Sequence, residues 1–408
     1  MNLKKSLLVQ FTSRGFSALF GLLSVALVAR YLGPHDYGII AYPIALFAFI
    51  RPIRAFGIEQ FLNNVYKENS ESLQLFKGSI LLYLLTSFFL LIITSVLYAI
   101  FNDPKDSNSL FVLIYALSSI LSVGNLYEAA LLNSGKAGLS SFSDACAYGV
   151  KFGSDLVLVL IGAKAYMFAF PFLIWQIVRL KMKSSLSGLS LSQDSLIEFP
   201  KFKQLLPFFT VSISVSFYTL SDQMMINFLS PNSSTELGLY STSAKLFSNL
   251  NIIIALFTLN MIPIIKSTQS FLNLPIIKKM LRLLWSISIS VSIIIFISAS
   301  GIVNILFGYQ FIESTPIIRT LSLSFPFFAL ASFSSRLLVT SGYQSQVAKR
   351  CFLSFVVNIL SNLFLIPSKG AEGAAIATLI SILFQCFVMP MLGEKFERQV
   401  LFYALKPF

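Results

Sequence analysis

The chain has 408 residues, of which 56% are hydrophobic and only 12% are charged, and its mean hydropathy is +0.79. An ordinary soluble protein has about 25% charged residues, so the composition excludes a water-soluble globular protein. The net charge of +13 does not indicate a nucleic-acid partner, because the sequence has no dense basic block and no basic segment interleaved with aromatic residues.

Long apolar runs with short polar breaks predict an all-α membrane protein. Runs of about 18 residues or more are long enough to cross a bilayer as helices. The first run follows Lys4 and Lys5 like a signal peptide, but Arg14 interrupts it and no small-residue cleavage site follows, so we predict an uncleaved span. The twelve predicted spans lie near residues 8–30, 38–58, 79–101, 110–132, 140–162, 165–180, 205–229, 238–262, 283–307, 316–340, 347–367 and 372–393.

The stretch from Leu27 to Leu46 has a relative half the chain away. Its turn, Leu32-Gly33-Pro34, recurs as Leu229-Ser230-Pro231, so that the two prolines are 197 residues apart. An outline that recurs at this distance indicates one helical unit used twice. Two long halves related in this way are typical of transporters.

The ends of the two halves also correspond. The segment beginning at Lys151 resembles the segment beginning at Asn358, which places Asp155 opposite Asn362. We therefore predict two pseudo-symmetric six-helix bundles around a central cavity. They comprise residues 1–182 and 205–394, joined by a cytoplasmic linker at 183–204 and followed by a cytoplasmic tail at 395–408.

Basic residues in the connections predict the orientation. With the N-terminus inside, 19 of the 30 Lys and Arg residues fall in cytoplasmic segments and 4 in outer segments. This positive-inside bias places both termini in the cytoplasm. The linker is either a flexible connection or a short amphipathic helix on the lipid surface; the leucines that would form its apolar face are Leu186, Leu189, Leu191 and Leu196.

Seven cations fall inside the predicted spans. Each costs about 2.5–3.5 kcal/mol at the centre of a bilayer, so a functional reason for them is expected. Arg336 lies near a span end and can reach the interface, as can Arg319. The candidate substrate-binding cations are Arg14, Arg51, Arg54, Lys151, Lys245 and Arg319.

Arg51 and Arg54 lie three residues apart on one helix face. Pro52 between them can kink the second span. Two interpretations remain open: both residues follow the positive-inside trend at the interface, or they clamp a diphosphate, since the guanidinium fork matches phosphate oxygens.

Four acidic residues are candidates for ion coupling or charge pairing: Asp144, Asp155, Asp222 and Glu128. Asp144, Lys151 and Asp155 share a face of the fifth span, and Lys151 can pair with Asp155 one turn on. That pair is either structural or part of a polar cavity wall with an acid for ion or proton coupling. Asp222 and Lys245 lie on consecutive spans, where we expect a neutralising pair.

No catalytic constellation or cofactor motif is evident. One histidine and three cysteines in apolar runs leave no metal site of ordinary ligand spacing, and there is neither a Walker A sequence nor a Ser-His-Asp set. We expect no catalytic residue, no metal site and no cofactor beyond a coupling ion, H⁺ or Na⁺.

Three motifs resemble those of polysaccharide-exporting flippases in the multidrug/oligosaccharidyl-lipid/polysaccharide (MOP) exporter superfamily. They are Ala29-Arg-Tyr-Leu-Gly-Pro-His-Asp-Tyr-Gly38; Ser221-Asp-Gln-Met-Met-Ile226 with Leu237-Gly-Leu-Tyr-Ser-Thr-Ser-Ala-Lys-Leu246; and Gly370-Ala-Glu-Gly-Ala-Ala-Ile-Ala-Thr378. The sequence is most similar to O-antigen flippases (Wzx type). The resemblance implies alternating access around a cationic cavity in the bacterial inner membrane. It also implies an undecaprenyl-diphosphate-linked oligosaccharide as substrate, and a periplasmic polymerase and a chain-length regulator as pathway partners.

Two other functions stay open. A multidrug or cation antiporter on the same fold would favour buried carboxylates, whereas the charges inside these spans are mostly positive. A membrane-embedded glycan polymerase or transferase would need a large outer loop or clustered acids and arginines at one interface, and neither is evident.

Overall fold

The computed structural model describes residues 3–67, 69–101, 107–189, 197–259, 275–340, 343–393 and 398. Within these residues the chain is helical and contains no β-strand. The helices are α1 (Leu3–Ala55), α2 (Ile58–Val65), α3 (Ser70–Phe101), α4 (Ser107–Ile120), α5 (Leu126–Asn133), α6 (Ala137–Leu160), α7 (Phe170–Ser187), α8 (Phe202–Leu229), α9 (Ser233–Leu259), α10 (Pro275–Leu306), α11 (Ser314–Thr340), α12 (Gln344–Leu383) and α13 (Met389–Leu392).

Seven helical segments of the described chain are long and apolar enough to cross a membrane. They confirm a multi-pass membrane protein, whereas the count of twelve spans stays a prediction. Two of the seven, Val9–Ala55 and Ser345–Leu392, are longer than one crossing needs. Each contains a glycine with left-handed backbone, Gly33 (φ 80°) or Gly370 (φ 55°), between two predicted spans.

The described chain forms two compact units. Unit 1 comprises Met1–Leu32 and Ile39–Ser216, and unit 2 comprises Gly33–Gly38 and Phe217–Phe408. The boundary between the two units falls inside α8, and the turn that follows Leu32 belongs to unit 2. The predicted linker and the tail at 395–408 lie largely outside the described residues, and the domain boundaries stay predictions. The same holds for the amphipathic helix in the linker, since α7 continues to Ser187 and residues 190–196 are outside the description.

An apolar and aromatic core at one end of unit 1 holds α2 against α3, α5 and the start of α8. Its centre includes Leu62, Phe76 and Leu126, all fully buried, with Phe208 packed against them. Burial of a side chain of this size stabilises the fold by about 1.5–3 kcal/mol in water. This core fixes the position of α2, which carries Glu59.

The two related turns pack together within unit 2. A Cβ atom built on Gly38 would lie 1.6 Å from the Ser234 carbonyl oxygen, and one on Gly238 would lie 2.0 Å from the Pro34 oxygen. Only glycine permits this approach, because any side chain would overlap a backbone oxygen. The repeated motif therefore has a structural role in unit 2.

Candidate functional site

The first polar cluster forms where α1 ends. Phe56 (φ 45°) and Gly57 (φ 76°) have left-handed backbone, so the chain turns into α2 and Glu59 approaches Arg51. An Arg51 Nη2 donates to Glu59 Oε2 at 2.6 Å. Arg51 remains half exposed, with 49% of its side chain accessible, whereas only 11% of Glu59 is accessible.

The second arginine of this cluster is buried. Arg54 is 6% exposed, and its Nη1 donates to the Ser119 carbonyl oxygen at 2.8 Å. Its guanidinium lies 5.8 Å from the centre of the Tyr83 ring, and its Nε has no hydrogen-bond partner among the described residues. Arg51 and Arg54 therefore share a helix but differ in exposure, and Arg51 is the more accessible of the two.

Among the described residues, Glu59 is the only acid that forms an ion pair with these arginines. Glu128 also attracts Arg51, but its ion pair is with Lys183. The Arg51–Arg54 cluster, counted with Glu59, therefore has one net positive charge. Burial acts to raise the pKa of Glu59, but the Arg51 guanidinium and hydrogen bonds from Arg51 and Asn125 outweigh it, so the pKa lies below its usual value. Glu59 is therefore ionised at neutral pH.

A second cluster joins α5, α6 and α7. Lys183, whose side chain is fully buried, bonds Glu128 at 2.9 Å and Asp144 at 3.1 Å. Arg179 Nε donates to the same Asp144 at 2.7 Å. Two cations and two carboxylates balance, so this cluster has no excess charge for a ligand. Glu128 and Asp144 are thus placed in charge pairs, one of the two roles predicted for them.

A third cluster joins α1 and α6. Lys151 Nζ donates to Asp155 Oδ2 at 2.8 Å and to Ser24 Oγ at 2.6 Å, and Ser24 Oγ donates to the same Asp155 oxygen at 2.5 Å. The ammonium also lies 4.2 Å from the centre of the Phe172 ring. All three polar residues are buried. The predicted Lys151–Asp155 pair is confirmed, and the charges of this Lys151–Asp155 cluster balance.

The fourth cluster, in unit 2, surrounds Asp222. Asn358 and Asn362 donate to its Oδ1 at 2.9 and 2.7 Å, Tyr240 donates to its Oδ2 at 2.5 Å, and Thr378 donates to the same oxygen. Asp222 is 4% exposed, all four donors are neutral, and no described cation forms an ion pair with it. The Asp222 cluster therefore carries one net negative charge.

The predicted pair between Asp222 and Lys245 is wrong. Both residues are described, but the carboxylate uses the four neutral donors and forms no ion pair with Lys245. The physical reason is that two amides on α12 donate to Asp222 Oδ1 and two hydroxyl groups donate to its Oδ2. We had placed these amides opposite Lys151 and Asp155 without assigning them a function.

The remaining candidate cations lie apart from these clusters. Arg14 is partly exposed and forms no ion pair within the described part of the chain. Arg319 is exposed, with its guanidinium 5.7 Å from the Phe296 ring. Lys245 is partly exposed. The substrate-binding role of all six cations stays a prediction.

Several residues of these clusters were not predicted. Glu59 lies just after the second predicted span and Lys183 at the start of the predicted linker, and their partners lie on other helices. For Tyr240 and Thr378 a signal existed, because each lies in a motif that carried the family resemblance. The second motif, which contains Asp222 and Tyr240, and the third, which contains Thr378, meet at a single carboxylate.

Comparison with known proteins decides the family. A family model described as "Polysaccharide biosynthesis protein" matches residues 3–269. The chain belongs to this family. A search of curated protein sequences gave no match.

Several solved structures have the same fold as this chain. The lipid II flippase MurJ in an inward closed conformation superposes with a TM-score of 0.77 at 16% identity, covering 98% of this chain and 90% of that one. An inward-facing multidrug resistance MATE transporter of the MOP superfamily gives a TM-score of 0.71 at 13% identity, covering 98% of each chain. A MOP superfamily transporter from Pyrococcus furiosus gives 0.59 at 13% identity, covering 100% of this chain and 98% of that one. The fold is therefore that of these MOP transporters.

Proposed function

We propose that the protein is a flippase that moves undecaprenyl-diphosphate-linked oligosaccharides, of the O-antigen or a related polysaccharide, from the cytoplasmic to the periplasmic leaflet. Its family and fold support a transporter of this pathway rather than an enzyme. The observation that carries the substrate class is the net positive charge of the Arg51–Arg54 cluster. A doubly charged diphosphate is the lipid-linked group that such a cluster attracts.

Arg51 is the residue that we assign to the diphosphate. It is half exposed, and Glu59 occupies only part of its five-donor fork. Arg54 adds positive charge from a buried position and holds α1 against the Ser119 carbonyl. Arg14, which has no acidic partner among the described residues, supplies a further cation on the same helix. Lys151 is already enclosed by Asp155, Ser24 and Phe172, so we give it no direct part in substrate binding.

We assign the coupling ion to the Asp222 cluster. A buried carboxylate with an uncompensated charge is unfavourable unless it is protonated or binds a cation. All four hydrogen bonds are donated to the two carboxylate oxygens and none is donated by the carboxyl group, so we assign a metal cation as the coupling ion. The described residues contain no group of three or more His, Cys, Asp or Glu, so the cluster does not fit a transition metal.

The residues present fit a small monovalent cation such as Na⁺. The Oδ1 atom of Asn362 is buried without a hydrogen-bond partner among the described residues. Amide groups can turn through 180° to exchange nitrogen for oxygen. Asn362, Thr378 and Asp222 would then offer the oxygen ligands that hard cations prefer, while Asn358 Oδ1 accepts from Ser221. The ion would supply the missing positive charge.

Reconstitution in vesicles with a short undecaprenyl-diphosphate-linked oligosaccharide tests the proposal. The leaflet that holds the lipid-linked oligosaccharide is determined from the fraction of glycan that a membrane-impermeant oxidant can reach. We expect R51Q to reduce the rate at least about tenfold, which corresponds to about 1.4 kcal/mol, and R51K to retain part of it. K164Q removes the same charge from an exposed turn of unit 1 and should transport normally.

A cation-coupled antiporter is the second candidate, favoured by the buried carboxylate Asp222 and the fold shared with MATE transporters. The same vesicles distinguish the two. If R51Q has no effect on glycan movement, the assignment of the diphosphate fails. If an organic cation is transported by the wild type and by R51Q but not by D222N, the antiporter is the correct function.

Membrane, orientation and partners complete the proposal. We place the protein in the bacterial inner membrane with both termini in the cytoplasm, supported by the positive-inside bias of the sequence. The proposed transport proceeds by alternating access, and the product would be used by the periplasmic polymerase and chain-length regulator of the same pathway.

A further inference from the structure

The Lys151–Asp155 cluster of unit 1 and the Asp222 cluster of unit 2 share equivalent positions of the repeat, although their carboxylates, Asp155 and Asp222, lie at different positions of it. The 197-residue offset between Pro34 and Pro231 places Ser24 opposite Ser221. The hydrogen bonds follow the same correspondence, since Ser24 contacts Lys151 and Ser221 donates to the counterpart of Lys151, Asn358, at 2.8 Å. The repeat is therefore preserved in the contacts as well as in the sequence.

The two clusters differ in charge. Each holds one buried carboxylate, Asp155 on α6 in unit 1 and Asp222 on α8 in unit 2. In unit 1 the position opposite Asn358 is a lysine whose ammonium is 2.8 Å from the carboxylate. In unit 2 the corresponding side chain is a neutral amide. The Lys151 side chain thus gives the unit 1 cluster the positive charge that the unit 2 cluster lacks.

We propose that the Lys151 ammonium is a tethered cation that permanently fills an ion site in unit 1, so that the transporter binds one coupling cation per cycle instead of two. This deepens the proposed function and rests on the coupling cation at Asp222. An ammonium and a small metal cation satisfy a carboxylate in the same way, through one positive charge at short distance from its oxygen. The Phe172 ring covers the ammonium from a further side, and rings attract cations.

The surroundings of Asp155 support this assignment. Its Oδ2 accepts from both Lys151 and Ser24, whereas its Oδ1 is buried with no hydrogen-bond partner in the described part of the chain. A carboxylate left with an unused oxygen at zero exposure depends on one nearby positive charge. If Lys151 lost its charge, that requirement would pass to an ion from solution.

Two reciprocal substitutions test the proposal on the purified full-length protein, with Na⁺ as the probe and choline to keep the ionic strength constant. Bound ²²Na⁺ per protein and the Na⁺-dependent rise in melting temperature are measured. The wild type should bind one Na⁺. N358K places an ammonium beside Ser221 and Asp222 as Lys151 does in unit 1, and should reduce binding to none. K151N, which gives unit 1 the amide of unit 2, should raise binding to two.

Matched variants connect each change to its carboxylate. K151N/D155N should return binding to one Na⁺, and K151N/D222N should bind one Na⁺ at the unit 1 site. N358Q keeps an amide at that position and controls for side-chain size in N358K. If K151N does not give a monodisperse protein, the N358K measurement still decides. The proposal is overturned if N358K binds Na⁺ as well as the wild type, or if a folded K151N gains no Na⁺.

The failure of the proposed function would look different. A wild-type protein that binds no Na⁺, and that melts as D222N does with and without Na⁺, overturns the coupling cation at Asp222. K151N is then still informative, because Na⁺ binding that appears in K151N and disappears in K151N/D155N establishes that the ammonium fills a cation position in unit 1. Without that gain both proposals fail.

Discussion

Replacing Gly38 with alanine should destabilise unit 2 strongly. The new Cβ would lie 1.6 Å from the Ser234 carbonyl oxygen and 2.6 Å from its carbon. Cβ contacts essentially never fall below 3.0 Å, so the two backbones would have to separate by about 1.4 Å. Overpacking typically costs about 1–3 kcal/mol. We expect a value at or above the upper end, because both sides of this contact are helical backbone and no flexible side chain can move away.

Thermal unfolding in detergent measures this loss, followed by tryptophan fluorescence in a W175F background, where Trp285 in α10 is the reporter. A domain of this size loses about 2–4 °C of melting temperature per kcal/mol, so we expect G38A to melt at least about 5 °C below the wild type. Gly301 in α10 is the matched control, because nothing lies within 4 Å of a Cβ built there. G301A should melt no lower than the wild type and up to about 2–4 °C higher, since alanine is about 1 kcal/mol more favourable than glycine inside a helix. An unchanged G38A would refute the close packing of the two turns.

Three further predictions concern buried charges and a helix cap. K183M should lower the stability of unit 1 by about 3 kcal/mol, since two carboxylates lose their shared ammonium; a melting temperature equal to that of wild type would contradict this. E236A should cost about 1 kcal/mol in the same assay, because Glu236 Oε2 accepts from the Ala371 backbone N–H at 2.7 Å. Glu59 has a lower pKa in the folded protein than in the unfolded chain. Its ionised side chain therefore stabilises the fold fully at pH values above the unfolded-state pKa, and this stabilisation is lost as the pH falls through the folded-state pKa. E59Q should therefore flatten the acid side of the stability profile, and an unchanged profile would exclude Glu59 as its cause.

Contacts within one helix could be predicted from the sequence, because helix geometry fixes them. Lys151 and Asp155 are four residues apart, so their pairing followed from the spacing alone. The breaks at Gly33 and Gly370 also coincide with predicted span ends. The apolar runs were sufficient for the helical class because a bilayer leaves the backbone few alternatives.

Contacts between helices could not be predicted in the same way. Lys183 was counted as a cytoplasmic loop charge, although α7 continues to Ser187 and carries this lysine to Glu128. Asp222 was paired with Lys245 because their spans are consecutive in sequence. The span of Lys245, α9, does contact Asp222, but through Tyr240, and the other donors lie on α12. The rotation of a helix about its axis decides which side chains meet a neighbouring helix. That rotation depends on packing and could not be predicted from this sequence alone.

The net charge of each buried cluster distinguishes structural polar groups from those that need a ligand. A charge at bilayer depth costs several kcal/mol, and a balanced cluster recovers most of this from within the fold. The clusters around Lys183 and Lys151 are balanced, so their folded state is complete without any other molecule. The Arg51–Arg54 cluster retains one positive charge and the Asp222 cluster one negative charge. Under the proposed function, a cation at Asp222 and a diphosphate at Arg51 would compensate these charges, and that energetic difference would couple ion binding to the movement of an anionic lipid.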